Sequence, residues 1–260
     1  MSPLLAYDAA STLDQARALH GQAGRPNLFI KIPGTAAGLR AIEAAVFAGV
    51  PINVTLLFSR EHYRAAADAY LRGIERRIVA GLDPKVASVA SVFISRWDKA
   101  VTGQVPEALR GRLGIAIAKR TYQAYRDLLA CPRWQRAAAA GARPQRLLWA
   151  STGTKDPEVS DVLYVEALAA PDTVNTMPEA TLLAFAEHGK VGDLLSRDGG
   201  DAEAVLAQFA AAGVAVLELA KTLQREGADA FVASWQDLMK QIGSKADTLR
   251  KTASREPAQS

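Results

Sequence analysis

The chain has 260 residues, 31 Lys+Arg against 27 Asp+Glu, and a formal net charge of +4. At 49% hydrophobic and 22% charged it reads as an ordinary globular chain, with one domain the simplest account of the length. The lone cysteine, Cys131, excludes an intrachain disulfide and suits a reducing cytoplasm, and no apolar run is long enough to span a bilayer.

In chain order, STLDQARALHGQAG reads as a helix with Ser11 as its N-cap and Gly24 as its stop. NLFIKIP (27–33) follows as a strand, then GLRAIEAAVFAG as a helix ending at Gly49. PINVTLLF (51–58) is a second strand. After it, Ser59 can cap a helix whose apolar stripe is Tyr63, Ala67, Tyr70, Leu71, Ile74 and Ile78. VASVASVFIS (86–95), QRLLWAST (145–152) and DTVNTMP (172–178) are three more strands, separated by the helical patterns PEALRGRLGIAIAKRTYQAYRDLLA and, after the last strand, EATLLAFAEHG. The remainder is helical in three pieces: DAEAVLAQFAAAG, VAVLELAKTLQREG and ADAFVASWQDLMKQIGSKADTLRKT. One domain over residues 1–250 and a flexible tail over 251–260 is the expected organisation.

Strand–helix alternation with runs this apolar predicts a parallel α/β sheet covered on both faces. An open doubly wound sheet and a β/α barrel both satisfy it. A barrel needs eight βα units in about 250 residues, and only five strands are visible.

Lys31 stands out, because it interrupts an apolar strand. Side chains alternate along a strand, so Leu28, Ile30 and Ile32 share one face and Phe29 and Lys31 the other. If the first face meets the helices, Lys31 points to the opposite side of the sheet, or into a barrel, near the strand's C-terminal end. Burial there would favour the neutral amine, which forms a Schiff base with a carbonyl; a snorkelling or ion-paired lysine fits the same pattern. In NVTLLFS, Asn53 and Thr55 share one parity, with Val54 and Leu56 opposite. These two polar groups either serve a substrate or satisfy each other. Ser91 lies inside the third strand and Arg96 at its end, where a guanidinium either clamps a phosphate or pairs with Asp98. WASTGTKDP places Ser151 and Lys155 directly after a strand, in a loop able to cradle a phosphate without being a Walker loop. The three histidines, His20, His62 and His188, show no metal-ligand spacing, and no dinucleotide fingerprint or nucleophile elbow is present. Basic residues are interleaved with acidic ones, as in SREHYRAAADAYLRGIERR, which reads as solvated helix faces rather than a nucleic-acid surface.

The stretch LFIKIPGTAAGLRAIEAA resembles the active-site signature of transaldolases, with Lys31, Thr35 and Gly38 on its key positions. INVTLLFS, VASVASVFISRWD, RLLWASTGTKDP and DTVNTMPEATLLAFAEHG continue the resemblance, in order, to the longer bacterial members. The resemblance implies a (β/α)8 TIM-type barrel, no cofactor, no metal and sugar-phosphate substrates. It implies transfer of a dihydroxyacetone unit from sedoheptulose 7-phosphate to glyceraldehyde 3-phosphate in the pentose phosphate pathway, giving erythrose 4-phosphate and fructose 6-phosphate. Carried over by position, Lys31 is the imine-forming residue and Asn53 and Thr55 line the reaction centre. Ser91, Arg96, Ser151 and Lys155 hold the phosphate. The five strands correspond to the family's last five of eight. The chain is therefore expected to be an incomplete barrel from a truncated gene product, without the family's strand-borne aspartate, Thr-Asn-Pro strand and water-handling glutamate. A silent sugar-phosphate-binding remnant and a class I aldolase of the same fold are the alternatives.

Overall fold

The computed structural model describes residues 1–154, 156 and 158–253. Each of the five apolar windows holds a strand: β1 (Ile30–Pro33), β2 (Ile52–Leu57), β3 (Ser88–Phe93), β4 (Arg146–Ala150) and β5 (Thr173–Asn175). They form one sheet in the order β1-β2-β3-β4-β5, with every neighbouring pair parallel. This order decides between the two architectures. A doubly wound sheet reverses direction at a switch point; here each crossover steps the same way, which is barrel winding.

α1 (Ala9–Ala23) precedes β1; the crossovers carry α2 (Ala36–Phe47), α3 (Arg60–Val79), α4 (Ser95–Val101), α5 (Leu113–Ala130), α6 (Pro132–Ala139) and α7 (Leu163–Ala167); and α8 (Glu179–His188) follows β5. After them come α9 (Ala202–Ala211) and α10 (Val216–Ala253). Ile30, Ile32, Ile52, Val54, Ala90, Val92, Leu147 and Trp149 turn to one side and pack with α2, α3 and α5 through Ile42, Val46, Tyr63, Tyr70 and Tyr125. The other face of the sheet presents Val89, Phe93, Leu148 and Ala150, and it is covered by Val205, Leu206 and Phe209 of α9 and Leu223 and Ala228 of α10. That cover does not reach all of β1: Phe29 is half-buried and Lys31 is exposed.

Several boundaries differ from the sequence reading. Asp8, not Ser11, is the N-cap of α1, accepting the Ser11 backbone N–H. A carboxylate there also favours the positive end of the helix. Gly24, at φ 55°, ends that helix as expected. The pattern that starts at Pro106 is broken at Gly111 (φ 70°), so α5 begins only at Leu113. α10 runs unbroken through Gly227, where a stop was expected, and continues to Ala253, three residues into the expected tail. Residues 254–260 lie outside the described residues.

Candidate active site at the C-terminal ends of β1–β4

Thr35 fixes the exit of β1. Its Oγ1 accepts from the Gly38 backbone N–H (3.0 Å), capping α2, and donates to the Ala6 carbonyl (2.6 Å), tying the strand's end to the start of the chain. Gly38 leaves no room for a side chain: a Cβ would lie 1.9 Å from the Pro33 carbonyl oxygen. The helix therefore presses directly on the residue that follows the Lys31–Ile32 pair.

Lys31 is directly opposite Asn53 in the β1–β2 register. Asn53 in turn accepts a hydrogen bond from Ser91 Oγ on β3 (2.7 Å). The three side chains form a row across the sheet on the face away from α2, α3 and α5. With Oδ1 engaged by Ser91, the Asn53 amide has its two N–H donors left for a neighbour. Lys31 was expected to be buried; instead it is exposed, because among the described residues no strand pairs with the free side of β1 and the α9–α10 cover stops short.

Beside that row, β2 carries a bulge. Val54 pairs with Ala90 and Leu57 with Val92, so three residues on β2 span two on β3. Leu56 takes φ 58° at this point, uncommon for a residue with a γ-branched side chain. The bulge overturns the parity expected for Leu56. From there the alternation is reversed: Leu56 and Phe58 join Phe93 on the α9–α10 side, and Leu57 turns to the α2–α3 side with Val54. Thr55 is 5% exposed, and its Oγ1 has no hydrogen-bond partner among the described residues. A buried hydroxyl left unpaired costs about 1–3 kcal/mol, so this group is available to a water or a ligand. Of the two polar groups on β2, then, Asn53 is bonded through its Oδ1 within the sheet and Thr55 is unpaired, and they do not satisfy each other.

A second cluster lies at the ends of β3 and β4. Arg96, in the first turn of α4, stacks over the Phe93 ring at 5.2 Å and makes no ion pair among the described residues. The alternative pairing with Asp98 is absent. That carboxylate instead accepts from the Leu113 and Gly114 backbone N–H groups (2.9 and 3.1 Å) and the Tyr164 hydroxyl (2.8 Å). Burial pushes the Asp98 carboxyl up, against the lowering effect of those bonds. Ser151, at φ 58°, meets Ser95 Oγ at 2.8 Å, and its carbonyl accepts the Ser95 N–H at 2.9 Å. Ser91 belongs with Asn53 and Lys31; no hydrogen bond joins it to Arg96 among the described residues. Lys155 lies outside the described residues.

Two contributors escaped the sequence reading. Ser95 stands in SVFISRWD, but nothing in that string announces its bond to Ser151. Gln224 of α10 donates from Nε2 to the carbonyls of Gly34 (3.2 Å) and Leu56 (2.9 Å), bridging the ends of β1 and β2. Only the fold brings it there. Among the described residues no group of three or more His, Cys, Asp or Glu side chains converges to hold a metal, and no single helix is long and apolar enough to cross a membrane.

Parallel, singly wound strands with polar side chains along one face and just past the C-terminal ends of β3 and β4 define an enzyme of the β/α-barrel class, whose chemistry sits toward that end of the sheet. The chain belongs to the transaldolase/fructose-6-phosphate aldolase family, whose model matches residues 1–242. It is 48% identical to a transaldolase of Parafrankia sp. (strain EAN1pec) over 259 residues, 95% of this chain and 70% of that protein. It is 47% identical to a transaldolase of Thermobifida fusca over 251 residues, covering 93% and 68% of the two chains. Against transaldolase 1 of Streptomyces coelicolor the identity is 46% over 257 residues, 95% and 68% of the two chains.

Proposed function

We propose that the protein transfers a dihydroxyacetone unit between sugar phosphates through an imine on Lys31. The observation that carries this reading is Lys31 directly opposite Asn53, with Asn53 hydrogen-bonded to Ser91 of the next strand on the same face of the sheet. Lys31 Nζ adds to the ketose carbonyl and expels water, forming the imine. The bond between the third and fourth carbons then breaks. Its electron pair moves toward the imine nitrogen, giving an enamine, and the aldose phosphate leaves. The enamine attacks the acceptor aldehyde, and water releases the new ketose. Asn53 N–H groups are suited to hold a substrate hydroxyl, and the unpaired Thr55 hydroxyl is suited to a water. Arg96 and Ser151 form the phosphate end, with Lys155 as a further cation.

A second reading has its own support. Cleavage requires a base for the hydroxyl proton of the departing aldose, and general acid–base help is worth ~10²–10⁴-fold. None of the five strands carries an acidic residue. With no acid–base group on these strands, the chain binds sugar phosphates and forms the imine, but turns over slowly. A single cysteine suits placement of either activity in the cytoplasm.

The test supplies fructose 6-phosphate as donor and erythrose 4-phosphate as acceptor. Formation of sedoheptulose 7-phosphate supports transaldolase activity. Release of free dihydroxyacetone with no transfer product assigns the chain to aldolase chemistry. Binding and imine formation with neither product favours the second reading, and the absence of all three refutes both.

A further inference from the structure

Gly227 is an expensive residue for its place. Within a helix interior it costs about 0.8–1 kcal/mol against alanine, yet α10 continues straight through it. Its surroundings give the reason. A Cβ there would lie 2.8 Å from Leu56 Cδ2 and 3.1 Å from Arg96 Nη1. The helix backbone thus rests on the bulged end of β2 and on the guanidinium at once. One turn earlier, Gln224 binds the Gly34 and Leu56 carbonyls, and Leu223 and Ala228 are buried against the same cluster as Leu56 and Phe93. Arg96 thus lies over the Phe93 ring and against the bare backbone of Gly227.

We infer that Gln224 and Gly227 are positioning residues for Arg96: α10 acts as a saddle that sets where the guanidinium meets the substrate's phosphate. This rests on the reading of Arg96 as the phosphate clamp. Gln224 locks the saddle to the strand ends that follow Lys31 and Thr55, so the distance between the imine-forming end and the phosphate end of a bound sugar is set partly by α10. The residues of the saddle make no contact with substrate in this account and act only through Arg96 and the β1–β2 ends.

The experiment measures affinity for fructose 6-phosphate and for unphosphorylated fructose in four proteins: wild type, Gly227→Ala, Arg96→Ala and the double variant. Urea unfolding of each serves as a folding control. An added methyl displaces the guanidinium, and losing one charge-assisted contact to phosphate is worth about 1.5–3 kcal/mol, or roughly tenfold or more. Gly227→Ala is therefore expected to weaken fructose 6-phosphate binding by about tenfold, leave fructose binding unchanged, and add nothing in the Arg96→Ala background. Gln224→Met, which keeps the length but loses both hydrogen bonds, is expected to act in the same direction and more weakly. If wild type shows no preference for the phosphorylated sugar, the clamp reading fails and the saddle with it. If the preference is lost in Arg96→Ala but kept in Gly227→Ala, only the saddle is overturned. An equal loss for both sugars, or an undiminished effect of Gly227→Ala without Arg96, also overturns it.

Discussion

Replacing Gly38 by alanine sets two effects of known sign against each other. Gly38 is the third residue of α2, and its φ is outside the left-handed region, so alanine can adopt its backbone. Helix propensity alone then predicts a gain of about 1 kcal/mol. Space predicts the reverse. The new Cβ would stand 1.9 Å from the Pro33 carbonyl oxygen and 3.1 Å from Thr35 Oγ1. Neither is the loose end of a long side chain: one is backbone of the strand bearing Lys31, the other caps the helix and ties it to Ala6. Relief requires α2 to move away from β1, breaking the cap, at about 1 kcal/mol, and adding overpacking of about 1–3 kcal/mol. The expected net result is a destabilisation of about 1–3 kcal/mol, read as a lower midpoint in equilibrium urea unfolding with an unchanged slope. Imine formation at Lys31 should slow in the folded fraction. A Gly38→Ala protein as stable as wild type, or more so, would refute the close-approach argument.

Asp98→Asn should remove the pH dependence that a raised carboxyl creates. Because the folded carboxyl titrates above its ordinary value of 3.8, the native state holds the proton to higher pH than the unfolded chain. Wild-type stability then falls as pH rises through that window, so wild type should gain on the asparagine variant when acidified from neutrality to about pH 4; a loss would contradict it. His62 has the opposite sign. Burial lowers its pKa below 6.5 despite Glu61, and its Nδ1 accepts the Phe58 N–H at 3.3 Å, which an imidazolium cannot do. Its stabilisation is full above pH 6.5 and is lost as pH falls below it, and His62→Asn should flatten that part of the urea-midpoint profile. Ser91→Ala frees Asn53 Oδ1 and should cost only about 0.5–1.5 kcal/mol of stability while slowing imine formation several-fold, as read by borohydride trapping; an unchanged rate would remove the row's organising role.

The strands were legible because each is a short apolar run between breakers, and the parity argument placed Ile30 and Ile32 against the helices correctly. The failures have specific physical causes. Parity assumes an unbroken ladder, and the bulge inverts it from Leu56 through Phe58. Gly227 looks like a terminator because glycine is a poor helix former, whereas it is present to let α10 approach Leu56 and Arg96. That contact is 131 residues distant from Arg96 in sequence and leaves no local trace. Lys31 sits on the expected face, but its burial depends on what stands beyond β1, which a strand's own residues cannot report. Asn53 and Ser91 were singled out separately; their hydrogen bond needs β3 beside β2, with Ser91 reaching back from two residues beyond the register partner of Asn53.

The central claim is that Lys31 is the imine-forming residue. Incubation with fructose 6-phosphate and borohydride, followed by peptide mass mapping, tests it directly. The account predicts one reduced sugar adduct, on the peptide containing Lys31, absent from a folded Lys31→Arg variant. An adduct on another lysine, or none from a protein that binds fructose 6-phosphate, would contradict it.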